Sequence, residues 1–333
     1  MNKILILKND RVGDLFNSLD AINLIIHNNK NAKIEIILSD ITQNLNFLFN
    51  LKNISVSYLP YHLNFYDKIK LLNKIIKTSF NKIYILSPKN FYYYLPLFSK
   101  SNFYAITIKN SNKSRPIKYL ANKLFKYVIN DRDNKKIGDS IHSLLIKLCA
   151  VNKTYSQVNI LNHEPKLTFL FKENFFLFSK FIHFHYKDFI FVKNGWNISM
   201  FVKLLEILSK KYRIILTSDF GNYDYHNEFL KNFSHLNFEN STNSINVDKN
   251  IHYLHNIKTS DLFKLISMSN AVISPHGAMT VMASYLKKKV IDIFDTNIEI
   301  KAFREYKPLN SDYNFFIIKP NFEKILFKIN KFL

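Results

Sequence analysis

The chain has 333 residues, more than one hydrophobic core usually serves, so two domains are expected. With 47% hydrophobic and 22% charged residues it is neither disordered nor collagen-like nor low-complexity, and its single cysteine, Cys149, excludes an intrachain disulfide or a thiolate metal cluster and fits a reducing compartment. Its 47 basic against 25 acidic residues, a net charge of +22, attract polyanions: nucleic acid, anionic lipid headgroups or phosphorylated substrates.

The opening apolar run to Lys8 is too short for a secretory signal and has no small-residue cleavage site, so it reads as a first strand. A polar loop, Asn9 to Asp14, leads into a helix with Leu15, Leu19, Ile22 and Ile26 at helical spacing. Lys33 to Leu38 and Ile54 to Leu59 read as strands two and three, with a helix from Ile41 to Leu51 between them. Helix Lys68 to Phe80, strand Lys82 to Leu86, strand Tyr104 to Ile108, helix Ile117 to Val128 and helix Asp139 to Val151, capped by Asp139 or Ser140, follow. The polar stretch Asn152 to Pro165 is the pause where a domain boundary is expected, giving domains 1–160 and 161–333. Beyond it come strand Phe181 to His185, helix Ile198 to Lys211, strand Arg213 to Thr217 and a helix near Tyr225 to Phe233. Strand Ile251 to Leu254, helix Ser260 to Ser267, strand Ala271 to Ser274, helix Ala278 to Leu286, strand Val290 to Phe294 and a last amphipathic helix, Phe322 to Phe332, complete the chain. Strands alternating with helices predict βαβ units and a parallel sheet in each half. No uninterrupted apolar span reaches bilayer thickness, so no transmembrane helix is predicted.

In open parallel sheets ligands bind beyond the carboxyl ends of the strands, where loops feed helix N-termini. Of only five glycines, Gly13, Gly195, Gly221 and Gly277 fall in predicted strand-to-helix loops, where positive φ or close approach to a ligand would require the missing side chain. The first loop carries Asp10, Arg11, Gly13 and Asp14. Asp14 reads first as the N-cap of the helix; a carboxylate there could instead serve as general base for an acceptor hydroxyl. In the second half, Ser274-Pro275-His276-Gly277-Ala278-Met279-Thr280 opens a helix with a small-residue turn suited to a diphosphate, to which His276 could donate. Lys193, before Asn194, Gly195 and Trp196, could pair with phosphate charge; Lys187 is the rival for that role, and Trp196 suits packing at the helix start.

Taken in order, Lys3 to Lys8, Asp10-Arg11-Val12-Gly13-Asp14, Lys193 to Trp196, Ser260-Asp261-Leu262, Ala271 to Ser274 and Gly277 to Ala283 resemble glycosyltransferase family 9, whose best-known members are the ADP-heptose:lipopolysaccharide heptosyltransferases. The resemblance implies an α/β protein of GT-B architecture: two Rossmann-like, doubly wound parallel-sheet domains facing an interdomain cleft, acceptor in the N-terminal half and donor in the C-terminal half. It implies an inverting transferase that uses no metal and no cofactor. The family's catalytic aspartate falls on Asp14, beside Arg11 and Gly13, its phosphate-binding lysine on Lys193, and an acidic residue for the donor ribose on Glu228. His276, Gly277, Ala278 and Thr280 fall in the donor turn, with one departure: Pro275 stands where the family has Asp and Thr280 where it has His, and His276 offers a polar group one residue away. Expected partners are a nucleotide-sugar donor, a glycolipid or polysaccharide acceptor and, through the basic surface, the anionic inner face of the cytoplasmic membrane; nucleic acid is not among them.

Asp131-Arg132-Asp133 spells a metal-nucleotide pattern but reads as a solvated loop, and His183 with His185 shares a strand face without a third ligand. Phe91 to Tyr94 reads first as core packing. No Walker A loop, G-x-G-x-x-G fingerprint or G-x-S-x-G elbow occurs. Two alternatives to the transferase stand: a non-enzymatic polyanion binder, with steep salt dependence, and a nucleotide-sugar epimerase of the same architecture.

Overall fold

The structure, a computed structural model, describes residues 2–87, 89–107, 123–130, 141–149, 181–218, 231, 239–241, 244–248, 250–255, 257–295, 312–318 and 322–333. The chain divides into two compact units, Met1–Glu164 with Arg304–Lys307, and Pro165–Phe303 with Pro308–Leu333.

Unit 1 begins with Lys3–Lys8 (β1), in which Ile4 to Leu7 are fully buried. A strand apolar on both faces belongs inside a parallel sheet covered on both sides. Val12–Asn28 (α1), Lys33–Ser39 (β2), Ile54–Leu59 (β3), Phe65–Thr78 (α2), Lys82–Ile85 (β4), Asn102–Thr107 (β5), Tyr127–Asn130 (β6) and Ile141–Cys149 (α3) follow. The sheet runs β3-β2-β1-β4-β5-β6 with every pair parallel. Leu5, Leu7, Ile83 and Ile85 pack under Leu71 and Ile75 of α2, and Tyr92 and Tyr93 join this core, as the aromatic run suggested.

Two expectations change here. The helix expected over Ile41 to Leu51 is a 3-10 segment, Asp40–Phe49, and its buried Thr42, Leu45 and Leu48 recur every three residues, the period of that helix. The helix expected from Ile117 gives way by Tyr127 to β6, where Val128 and Ile129 suit a strand. Residues 117–122 of that expected helix, the caps Asp139 and Ser140, and Asp131 to Asp133 lie outside the described residues.

Unit 2 begins with Phe181–Tyr186 (β7), buried along its whole length, then Asp188–Lys193 (α4), Ile198–Ser209 (α5) and Arg213–Ser218 (β8). Glu239–Ser241 (β9), Ser244–Asp248 (β10), Ile251–Leu254 (β11), Thr259–Met268 (α6), Ala271–Pro275 (β12), Ala278–Tyr285 (α7), Lys289–Phe294 (β13), Tyr313–Ile317 (β14) and Phe322–Phe332 (α8) complete it. The sheet order is β14-β13-β12-β7-β8-β11-β10-β9. From β14 to β11 every pair is parallel, whereas β9 and β10 extend one edge antiparallel, a departure from the wholly parallel sheet expected. Trp196, Phe184, Tyr186, Phe191 and Phe201 centre the core of this unit.

Candidate active site

Each sheet reverses its strand order beside its first strand, between β1 and β4 in unit 1 and between β7 and β12 in unit 2. In doubly wound sheets, ligands bind outside the carboxyl ends of the strands at that reversal. Both places carry concentrated charge.

In unit 1, β1 ends in Lys8, which is only 4% exposed. Its ammonium lies 2.8 Å from Asp10 Oδ2 and donates to the Leu86 carbonyl, at the end of β4, over 3.2 Å. The Ser87 hydroxyl donates to the same Asp10 oxygen at 2.6 Å. Beneath them Asn9 is fully buried, accepting from the Tyr92 hydroxyl and donating to the Pro60 carbonyl at 3.0 Å. The loop between β1 and α1 is therefore pinned to β4, to the Asn90–Leu97 segment and to the chain beyond β3. Lys89 donates to the Tyr61 carbonyl and sits over that ring, 4.7 Å from its centroid, and the Arg11 guanidinium lies 5.6 Å from the same centroid.

The N-cap of α1 is Arg11, not Asp14. Asp14 is the third residue of the helix, where its carboxylate accepts the Arg11 backbone N–H, the reciprocal half of a capping box. Gly13 belongs to the first turn of α1 and is not one of the positive-φ residues, so its expected conformational need is absent.

The two carboxylates titrate in opposite directions. Burial pushes the Asp14 carboxyl above its ordinary value, and the neighbouring Asp10 charge adds to that, against opposition from Lys8, Arg11 and the Arg11 amide. For Asp10 burial also acts upward, but the Lys8 ammonium, hydrogen bonds from Lys8 and Ser87 and the Lys89 charge outweigh it, so the carboxyl lies below its ordinary value. The two carboxylates thus differ in proton affinity, Asp10 held as the anion and Asp14 the more readily protonated.

In unit 2, β7 is followed by Lys187 and β12 by His276 and Gly277, which caps α7. Gly277 has φ 156° and ψ −151°, and a Cβ there would stand 2.7 Å from Lys187 Nζ. The ammonium of Lys187 thus lies against the N-terminus of α7, where unpaired amides and the helix dipole favour an anion. Thr280 is fully buried, and its hydroxyl closes the cap by donating to the Gly277 carbonyl at 2.9 Å and accepting the Gly277 N–H at 3.2 Å. It supports the turn from within. Ala278, the first residue of α7, is half-buried. His276 stacks on Phe294, with ring centroids 4.6 Å apart, and its Nδ1 lies 2.7 Å from Asp292 Oδ2.

Lys193 has a different setting from Lys187. Its ammonium is 2.6 Å from Asp295 Oδ2, in the last turn of α4. The residues after it form a helix C-cap: Gly195 has φ 80°, its N–H donates to the Val192 carbonyl at 3.0 Å, and the Trp196 N–H donates to the Phe191 carbonyl at 3.0 Å. The indole packs on the Phe191 ring, with centroids 5.7 Å apart, as such a cap favours. The residues from Lys193 to Trp196 thus terminate a short helix, α4, where the sequence predicts a loop.

His183 and His185 both meet the Thr217 hydroxyl, at 2.7 and 2.8 Å, within the core. Burial lowers His183 to about 3, helped by His185, so the ring is a neutral core group. Among the described residues no group of three or more His, Cys, Asp or Glu side chains is placed to hold a metal. Glu228 and Gly221 lie outside the described residues. Sequence reasoning passed over Lys8, Asp292 and Tyr313. Lys8 and Asp292 carry a usable signal, a charge inside or closing an otherwise apolar buried strand.

No protein-family model and no curated protein sequence matches the chain. Solved structures do. The ADP-heptose lps heptosyltransferase II of E. coli aligns over 99% of this chain and 98% of its own, with TM-score 0.65 and 14% identity. A glycosyl transferase family 9 protein from Veillonella parvula aligns over 100% and 90%, with TM-score 0.64 and 10% identity. The chain has the fold of these transferases. The resemblance read from the sequence therefore holds at the level of fold, and the same fold extends to the UDP-GlcNAc 2-epimerase of Methanocaldococcus jannaschii, with TM-score 0.57, 14% identity and 99% and 92% coverage.

Proposed function

We propose that the protein is an inverting, metal-independent glycosyltransferase that moves a sugar from a nucleotide-sugar donor of the ADP-heptose kind to a lipopolysaccharide or other cell-surface glycan. The observation that carries this reading is the divided pair at the end of β1: Asp14 raised, by burial and by Asp10, and Asp10 lowered through Lys8 and Ser87. A carboxylate with raised proton affinity, anchored to a helix start beside a fixed anion and two cations, is suited to accept a hydroxyl proton.

In the proposed step the acceptor oxygen attacks the anomeric carbon while its proton passes to Asp14. The bond from that carbon to the diphosphate oxygen breaks on the opposite side, and its electron pair leaves with the nucleoside diphosphate. Unit 1 supplies the base, with Arg11 and Gly13 shaping its loop. Unit 2 supplies the anion site at the start of α7: the Ala278 amide, His276 and Lys187, with Gly277 as the cap and Thr280 holding the turn. Lys187 takes the phosphate role expected of Lys193, because its ammonium lies against Gly277 whereas Lys193 is paired with Asp295.

Membrane contact rests on a second feature of unit 1. Lys3, Lys30, Lys33 and Lys52 ring a cavity of about 720 Å³ at the amino ends of β1, β2 and β3, the end of the sheet opposite Asp14. Glu35, the acidic residue of that lining, is paired with Lys74. Four cations in one recess suit the headgroups of an anionic bilayer and a peripheral position on the cytoplasmic face. No helix among the described residues is long and apolar enough to cross a membrane.

The test is Asp14→Asn in the full chain. Transfer should fall by about 10²–10⁴-fold, the usual worth of a positioned base, while nucleotide diphosphates still raise the unfolding temperature as in the wild type. Undiminished turnover removes Asp14 from the mechanism. Release of free nucleotide from the donor at full rate without any acceptor would favour the epimerase reading instead.

A further inference from the structure

Asp292, within β13, is fully buried, and the donors on its carboxylate converge on one oxygen. The Tyr313 hydroxyl, on β14, donates to Oδ2 at 2.7 Å, His276 Nδ1 lies 2.7 Å from that same Oδ2, and Oδ1 is buried without a hydrogen-bond partner. Burial, together with the Asp292 charge and their hydrogen bond, pushes the Tyr313 phenol far up, so Tyr313 acts here as a neutral donor. A buried carboxylate is tolerable only with a compensating charge or a full set of donors, and Tyr313 supplies neither alone. Among the described residues the ion-pair partner of Asp292 is His276. The imidazole is fixed by this bond on one edge and by the face of Phe294, 4.6 Å away, which leaves Nε2 as its other polar atom. His276 is 22% exposed and directly precedes Gly277, the residue against which the Lys187 ammonium lies.

We infer that His276 is a second cationic contact for the leaving diphosphate, held by Asp292 and Tyr313 as positioning residues. Asp292 keeps the Nδ1–H turned inward and balances the charge of the imidazolium, whose Nε2–H is then presented to a diphosphate oxygen. The same division of labour between a buried carboxylate and an imidazole operates in hydrolytic triads. Together with Lys187 and the amides of α7, this site takes the diphosphate of a nucleoside diphosphate in preference to a monophosphate. The inference rests on the donor site proposed above.

The experiment is isothermal titration of the full chain with ADP, UDP and inorganic pyrophosphate, and with AMP and UMP as monophosphate controls. It is run on the wild type, His276→Gln and Asp292→Asn, with nitrogen-15 spectra of histidine-labelled protein. His276→Gln should weaken the diphosphates by about ten- to a hundredfold, the range of a lost charge-assisted hydrogen bond, and the monophosphates far less. Asp292→Asn should do the same and shift the proton on His276, because the amide can donate to Nδ1 where the carboxylate could only accept. If that buried substitution does not fold, His276→Gln carries the binding arm and the wild-type spectrum the protonation arm, which must show both ring nitrogens protonated in the pyrophosphate complex; an unprotonated Nε2 there overturns the cationic role. Wild-type protein that binds none of the five ligands overturns the donor site itself. Wild-type binding with unchanged affinity in His276→Gln, or an equal loss for mono- and diphosphates, overturns only the role given to His276. Weakened binding in Asp292→Asn with an unaltered His276 signal overturns the positioning role.

Discussion

Gly277→Ala isolates the backbone requirement of the donor turn. At φ 156° and ψ −151° the residue occupies a region that side-chain-bearing residues essentially never enter. Holding alanine there costs about 1–3 kcal/mol. The added Cβ would also stand 2.7 Å from Lys187 Nζ, but that atom ends a flexible chain and can swing aside, so the backbone cost dominates. At about 2–4 °C per kcal/mol for a unit of this size, the unfolding transition of unit 2 should fall by about 2–12 °C. The assay is calorimetry of the full chain, followed by pyrophosphate titration, in which affinity should drop because the displaced ammonium leaves the helix start. The double variant with Lys187→Met separates the two causes: if backbone strain dominates, Gly277→Ala costs as much in that background as in the wild type, within the usual error of additivity. An unfolding temperature unchanged by Gly277→Ala, or complete recovery in the double variant, would refute the backbone argument.

The remaining predictions concern unit 1. Lys8→Met removes the buried partner of Asp10 and should cost about 3–5 kcal/mol at neutral pH, measured by denaturant unfolding. Because the Asp10 carboxyl is lowered, its contribution is present above its ordinary value of 3.8 and is lost as pH falls through the lowered value, an acid dependence that Lys8→Met should weaken. Asp14 has the opposite sign: its carboxyl is raised, so the stability it contributes is present below 3.8 and lost as pH rises through the raised value. Asp14→Asn should therefore unfold at a higher temperature than the wild type at neutral pH, with no such gain below 3.8; equal unfolding temperatures at neutral pH would contradict the burial of that charge. Reversing Lys30, Lys33 and Lys52 to glutamate should reduce co-sedimentation with phosphatidylglycerol vesicles by at least about a hundredfold, at roughly 1 kcal/mol for each lysine near the surface. Binding to phosphatidylcholine vesicles should be weak for both proteins, and anionic binding unaffected by the reversal would sink the membrane role of this recess.

What was legible in the sequence follows from burial on two faces. Ile4 to Leu7 of β1 and Ala271 to Ile273 of β12 are buried apolar runs leading to polar loops, and such runs announce parallel strands whatever surrounds them. Short elements were silent: β9 has only the three residues ENS, the alternation of β10 in SINVD lasts only five residues, and α4 is too short to show a helical period. Its end was nevertheless written in Gly195 and Trp196, whose positions fit a helix C-cap better than a ligand loop. The site divides in the same way. Asp14 and Gly277 stand out by residue type beside a predicted strand, whereas the choice between Lys187 and Lys193 stays open in the sequence. Lys8 and Lys187 are two lysines in a lysine-rich chain, and the strand order gives them their setting, because one ends and the other follows the first strand of its unit at the point where the sheet reverses. Periodicity along a chain can place a strand, but it cannot say which strand lies beside it. A buried charge such as Lys8 or Asp292 can be noticed in the sequence, but its partner, Leu86 or Tyr313, becomes visible only once the sheet is assembled.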